Sequence, residues 1–338
     1  MEIPRLRRST AVIAALAVTA LAFLLFRNVI SALLVQFTAA YLLMALALPV
    51  CRILEKRLPP SPAAALSFVL VALTAAALLL IALPPIASQF SQLGASLPGM
   101  LEAIRAWADS LQYWLSERGM DAAILRDELF SAAGKQIGAI VSSLAGSLAG
   151  VVQSAGKLFL APLLAFYLLR DRRRIATRLL LIIPVSWRMR TVRAAREMRR
   201  ETLGFLRGQL LLSASVGALT AAGLLLTGTP GWLALGILMG VMELIPYIGP
   251  WIAGIPAVLL ALQGGVAHGL WTLGVILVIQ QIEGGVLSPR LLAGATQLHP
   301  LAVLAAITAG GVLAGATGML LAIPLLVSVR GALRGLRL

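Results

Sequence analysis

Eight apolar runs of roughly bilayer-spanning length decide what this chain can fold into. An α-helix rises 1.5 Å per residue, so about 20 apolar residues cross a hydrocarbon core ~30 Å thick, and backbone in that medium must pair its own polar groups. Such runs lie at roughly 11–26, 29–50, 63–86, 146–169, 207–227, 231–263, 266–288 and 299–329. With 60% hydrophobic and 12% charged residues among 338, the chain carries more apolar surface than a soluble fold of that length buries. The expected fold is all-α: a polytopic membrane protein with about eight transmembrane helices, one of them discontinuous, and an extracytoplasmic amphipathic helical insert.

The polar stretches between the runs divide the chain into five parts. Residues 1–87 hold the first three helices, 88–145 the external insert, 146–170 the fourth helix, 171–206 a basic cytoplasmic amphipathic region, and 207–338 a C-terminal bundle. The start, Arg5-Leu-Arg-Arg8 before an apolar run, imitates a signal peptide. No clear small-residue cleavage site follows it, so a retained first helix is expected. Arg27-Asn28 makes a tight turn between the first two helices, and Pro59, Pro60 and Pro62 end any helix before the third begins.

Charge sets the orientation. Residues 88–145 hold six acids and four bases, whereas Arg170 to Arg207 holds twelve arginines and three acids, Asp171, Glu197 and Glu201. The positive-inside rule then places 170–207 in the cytoplasm, 88–145 outside and both termini inside. The net charge of +15 lies between the apolar runs and at the ends, without interleaved stacking aromatics, so the partner is the lipid bilayer and not nucleic acid. In the external part, Leu93, Leu97, Met100, Ile104, Trp107, Leu111 and Trp114 recur at helical spacing, a stripe suited to the bundle, the headgroup layer or a second subunit, with the helix ending near Gly119 and Asp121 capping the next. Ser186 is placed to cap a helix whose Val192, Ala195, Met198, Thr202 and Phe205 share a face, lying along an anionic inner leaflet.

One stretch carries the chemistry. Glu243-Leu-Ile-Pro-Tyr-Ile-Gly-Pro250 sits inside the run 231–263, and Pro246, Gly249 and Pro250 argue that the helix is interrupted there. A charge unpaired in hydrocarbon costs at least ~2.5–3.5 kcal/mol, so a carboxylate beside broken backbone at membrane depth is a candidate functional site. The flanking runs are each too short to span alone, and a re-entrant hairpin stands beside a single crossing. Gln280 and Glu283 are one turn apart, with Gly284-Gly285 loosening the backbone behind the acid. The candidate transport path and coupling set is therefore Glu243, Pro246, Gly249, Pro250, Gln280 and Glu283, with Glu283 alternatively capping a helix or pairing with Arg290. His268 and His299 have no second ligand nearby and make a poor metal site, and no cofactor is expected. Cys51, the single cysteine, excludes an intrachain disulfide. The chain has no phosphate-binding glycine loop, serine elbow, Gly-Asp aspartyl pair or His-Glu-x-x-His motif, which argues against ATP as direct energy source and against an enzyme.

These residues resemble a family. Arg207-Gly-Gln-Leu-Leu, Glu243–Pro250, Gln281-Ile-Glu-Gly-Gly-Val-Leu-Ser-Pro289, His299-Pro-Leu, Gly318-Met-Leu-Leu-Ala-Ile-Pro324 and Pro162-Leu-Leu-Ala-Phe-Tyr-Leu-Leu-Arg-Asp171 together are similar to the AI-2E family of bacterial membrane proteins, the autoinducer-2 exporter-like or PerM-like permeases. The resemblance implies an inner-membrane permease and a homo-oligomer. Some members resemble autoinducer-2 exporters and others sodium- or lithium-proton antiporters, so the cargo is a small polar solute or a cation. Where related sequences often have Asn after the acid of the seventh segment, this one has Gly284-Gly285. A non-transporting scaffold is the alternative from another class. Single-cysteine variants at Glu117 and Arg190 in a Cys51→Ser background test the orientation. A membrane-impermeant maleimide is expected to label position 117 on intact cells and to reach 190 only after lysis; the opposite pattern inverts the topology.

Overall fold

The computed structural model describes residues 29, 31–118, 160–245, 249–292 and 298–337. The first apolar run and the Asp121 cap lie outside them. Every regular element among the described residues is helical: α1 (Ser31–Leu54), α2 (Pro60–Ser116), α3 (Leu160–Arg170), α4 (Arg172–Ile182), α5 (Val185–Thr227), α6 (Trp232–Met242), α7 (Gly249–Ala261), α8 (Val266–Ile282), α9 (Ser288–Leu291) and α10 (Pro300–Arg337). A 3-10 turn at Leu262–Gly264 joins α7 to α8, and a π-turn at Glu283–Leu287 joins α8 to α9. Ser31–Leu54, Pro60–Leu78, Val185–Thr227, Val266–Leu291 and Pro300–Arg337 are long and apolar enough to cross a membrane, while α3, α6 and α7 are shorter apolar helices. The chain is a multi-pass membrane protein.

Two helices run further than their apolar parts. α2 starts with Pro60 in its first turn, where a missing N–H costs nothing, and continues unbroken for 57 residues, about 85 Å at 1.5 Å per residue. The stretch from Leu93 to Trp114 is thus the far end of the helix that starts at Pro60, not a separate one, and the helix runs on through Pro84 and Pro85. It ends at Ser116, close to the expected stop. α5 likewise joins the basic region to the apolar run in 43 residues; Pro184 holds the N-cap position and Ser186 lies inside the first turn. The face buried on its basic half includes Ala194, Glu201, Thr202 and Phe205, and α10 covers it in place of the lipid expected there.

α5 is the spine on which the C-terminal bundle assembles, and glycine sets how near its neighbours come. On α6, a Cβ at Gly236 would fall 2.5 Å from that of Ala221, and one at Gly240 would fall 2.9 Å from the Ser213 carbonyl. Added carbon at Gly331 or Gly335 of α10 would fall 2.8 Å from the Met198 Cα or 2.5 Å from the Ala194 Cα. Both helices run antiparallel to α5, because rising numbers on one meet falling numbers on the other. α8 does the same, with Thr272 bonded to Thr229 at 3.0 Å and Gly223 facing Val275 and Ile279.

The C-terminal runs fold back on themselves. α6 and α7 have 11 and 13 residues, about 16 and 20 Å, too short for the ~30 Å core. Gly249 packs on Met242 and Gly254 on Met239, so contact persists as the sequence separation grows and the two helices form an antiparallel hairpin. The run 231–263 is therefore a helical hairpin. α10 hides a second reversal at Ala314 (φ −147°, ψ 18°) and Gly315 (φ 61°, ψ −143°). Gly310 stacks on Gly318, and Gly311 faces Met319, contacts that a continuous helix places a dozen ångströms apart. The last run, expected as one crossing, is a short leg over 300–313 and a longer one over 316–337. Leu212 and Val216 of α5, Leu238 and Met242 of the first hairpin, and Ile307 and Ile323 of the second share one apolar core.

The N-terminal helices pack on one another through small side chains, and α2 also lies against α6, α7 and α8. Ala161, Ala165 and Leu169 of α3 meet Ala40, Ala47 and Cys51 of α1 and Ala63 and Ala64 of α2. Arg172, opening α4, pairs with Glu55 just past α1 and holds that carboxyl below the usual carboxylate range. At the basic end of α5, Glu201 is 3% exposed and faces Arg334 at 3.3 Å and Arg330 at 3.7 Å, while Thr202 bonds Ser328 at 2.8 Å. Leucine at Gly240 or Gly331 is expected to destabilise the protein by about 1–3 kcal/mol through overpacking, seen as a lower melting temperature in detergent. Leucine at Gly204, where an added Cβ meets nothing within 4 Å, is the control expected to melt no lower than wild type.

Candidate functional site

The first hairpin turns on Glu243. Its N–H closes the last turn of α6 on the Met239 carbonyl at 2.9 Å; Leu244 and Ile245 bond back to Val241 and Met242, and Gly249 returns to the Ile245 carbonyl at 2.8 Å. A Cβ at Gly249 would fall 1.7 Å from the Met242 carbonyl oxygen, so only glycine closes this turn. Pro250 follows as the second residue of α7, where its fixed φ suits a helix start and its absent N–H is not missed. Gly249 and Pro250 are buried; Pro246 lies outside the described residues.

The Glu243 side chain is 2% exposed, and its Oε2 has no hydrogen-bond partner among the described residues. α5 holds the tip: Gln209 Nε2 donates to the Glu243 carbonyl at 2.7 Å. That bond leaves Gln209 Oε1 buried without a donor, and one turn further on, Ser213 Oγ is buried and unpartnered as well. Gln209 and Ser213 are 4% and 7% exposed.

The third side comes from the end of α8. Gln280 Nε2 is buried and has no hydrogen-bond partner among the described residues, so it does not bond Glu283 one turn on. Glu283, half-buried, opens the π-turn in which Gly284 and Gly285 take part, and accepts instead from Ser288 Oγ at 2.5 Å. Such turns are frequent at functional sites. Gly208 allows this segment onto α5, since a Cβ there would fall 2.4 Å from the Leu291 carbonyl oxygen.

The structure thus sets Gly249 and Pro250 at the turn behind Glu243 and brings Gln209 to its carbonyl, while Gln280 and Glu283 lie at the C-terminal end of α8. It adds Gln209, Ser213 and Ser288, which the sequence reading did not assign to the site; the signal for Gln209 is an amide two residues beyond Arg207 at the head of an apolar run. The histidines stay apart. His268 lies against the Gly264 turn at the other end of α8, and His299 Nδ1 accepts from the Leu301 N–H at the start of α10. Among the described residues, no group of three or more His, Cys, Asp or Glu could hold a metal ion.

The class these features define is a multi-pass α-helical membrane protein with helical hairpins that turn inside the bundle around a buried carboxylate. Residues 13–337 match the AI-2E family transporter, and the chain belongs to that family of transport proteins. It is 27% identical to a putative transport protein, YueF, of Bacillus subtilis over 288 residues, 83% of this chain and 78% of that one. A putative transport protein of Mycobacterium tuberculosis, MT0215, is 34% identical over 69% of this chain and 65% of its own length, and the putative permease PerM of Escherichia coli 31% identical over 57% and 55%. Gly249→Ala is expected to force the tip open, lowering thermal stability by about 1–3 kcal/mol; an unchanged melting temperature would contradict the closeness of Gly249 to Met242.

Proposed function

We propose that the protein is a permease of the bacterial inner membrane that moves a small polar solute, of which autoinducer-2 is the type, by secondary transport coupled to protons, with both termini in the cytoplasm. The observation that carries this reading is the Glu243 side chain, 2% exposed, with Oε2 unpaired among the described residues, at the turn of a helical hairpin in an apolar run. Half-length helices that meet inside a bilayer leave backbone and side-chain polar groups free at the turn, the usual construction of a transporter binding site. Glu243 takes up and releases the coupling ion; Gly249 and Pro250 shape the turn, with Pro246 between them and the acid; Gln280 supplies an unpaired N–H to the solute, and Glu283 the second charge. Cation–proton exchange is the second reading, favoured by the same carboxylate.

Homo-oligomer formation belongs to the same proposal. The far end of α2 exposes Trp107, Tyr113 and Trp114, a surface suited to a second copy. Proteoliposomes with and without imposed proton and sodium gradients test the transport reading, comparing a small polar signalling molecule with alkali cations. Glu243→Gln is expected to cut gradient-driven flux by a factor on the order of 10² or more, the loss typical when an acid–base group is removed. If it transports as well as wild type across a range of pH, the carboxylate is not the coupling group.

A further inference from the structure

The elbow between α4 and α5 is apolar at its corner and basic on both arms. Ile183 is extended (φ −83°, ψ 133°), as proline favours in the residue before it, and Pro184 holds the N-cap of α5, so α4 stops here and α5 starts afresh. The Trp187 N–H bonds the Pro184 carbonyl at 2.9 Å, and Arg188 Nε donates to the Ile183 carbonyl at 3.1 Å, which fixes the corner. Among the described residues little covers it. No residue of α4 is buried. Leu181, Ile182, Val185 and Met189 are 67%, 80%, 75% and 63% exposed, and Trp187 is 52% exposed.

The charge around this corner has one sign. Residues 172–196 hold eight arginines and no Asp or Glu. Carboxylates on either side are already engaged: Glu55 with Arg172, Glu197 with Arg200 at 3.3 Å, and Glu201 with Arg334 at 3.3 Å. Among the described residues, Arg174, Arg178 and Arg190 meet no carboxylate, and Arg190 lies over the Trp187 ring at 5.5 Å.

A contiguous exposed apolar patch marks a contact surface. The same elbow of a second copy carries the same arginines, and like charges brought face to face cost free energy. An anionic lipid surface suits both halves: the acyl boundary takes the aliphatic side chains, tryptophan favours the interface, and arginines reach the headgroups on long stems. That surface is within reach. α4 starts at Arg172, paired with Glu55 just past α1, and its 11 residues span about 16 Å.

We propose that the α4–α5 elbow binds anionic phospholipid: the corner from Leu181 to Met189 enters the leaflet on its own side of the membrane, with Arg174, Arg178 and Arg190 on the headgroup phosphates. Lipid contact thus falls on the corner, and not on the face from Val192 to Phe205 that α10 covers. The elbow anchors the start of the helix on which the C-terminal bundle assembles, and the inference stands apart from the transport reading.

Quenching by brominated lipid, with the full-length chain in nanodiscs, tests it. Ile182→Cys in a Cys51→Ser background carries an environment-sensitive fluorophore, and the discs hold dibrominated phosphatidylcholine alone or with about one-third phosphatidylglycerol. Bromine is expected to quench the fluorophore in the anionic discs. Quenching is expected to be about threefold weaker in phosphatidylcholine alone, and equally so when Arg174, Arg178 and Arg190 are all replaced by Gln. Lysine at the same three positions is expected to retain it, which separates charge from packing, and melting temperatures equal to wild type show that the variants fold. The proposal is overturned if the fluorophore stays in water in both mixtures, as a docking site for an acidic protein would have it. It is overturned as well if quenching is equal in both mixtures and indifferent to the arginines, or if the fluorophore leaves water only when two copies share a disc.

Discussion

Gly217, Gly236 and Gly240 on one side of α5, and Gly208, Gly331 and Gly335 at its basic half, bring the backbones of α6, the α9 segment and α10 onto a single helix. In hydrocarbon there is no hydrophobic gain from packing one apolar helix on another, so close contact and directed hydrogen bonds must hold the bundle. Small residues supply that contact, because each absent side chain lets two main chains approach and engage along their whole length. The site depends on this arrangement. Were α6 to stand a methylene further from α5, Gln209 would not reach the Glu243 carbonyl, and the tip would lose the one side chain seen to hold it.

The polar groups at the tip work against that packing. An apolar bundle that buries Glu243, Gln209 and Ser213 without donors gives up several kcal/mol relative to a wholly paired interior. The N–H groups of Glu243, Leu244, Ile245 and Gly249 are nevertheless paired with main-chain carbonyls. Rigid backbone with unspent side-chain capacity is what a site that must bind and release a ligand requires.

At the basic end the logic changes from shape to charge. Glu201 buried against Arg330 and Arg334, with Thr202 and Ser328 beside them, clamps the C-terminal leg to α5, and Tyr41 reaches Thr202 from α1 at 3.4 Å. Glu55 and Arg172 tie α1 to α4 in the same way. These pairs lie where apolar helices give way to arginines, so each carboxylate is met by a guanidinium. The arginines that set orientation by number also include the few that hold the bundle together by position.

Membrane class, helical content and the importance of Glu243 were legible in the sequence, because hydrophobic length and an isolated acid beside prolines and glycine are local properties. So was the interruption at 243–250, together with the loosened backbone at Gly284-Gly285. The second reversal was not: Gly315 sits in an unbroken apolar run, and nothing local separates a glycine that lets helices touch from one that turns the chain back. The partners of the acid were hidden for a similar reason. Gln280 and Glu283, a turn apart, looked like a pair, yet the π-turn gives Glu283 to Ser288, and Gln209, 34 residues before Glu243, comes to the tip only because glycine lets α6 lie against α5. By itself the sequence determined that the chain enters a bilayer and that a carboxylate goes in with it. Which apolar runs fold back on themselves, and which groups meet the turn at that carboxylate, only tertiary structure decided, since both follow from how closely backbones approach one another at glycine.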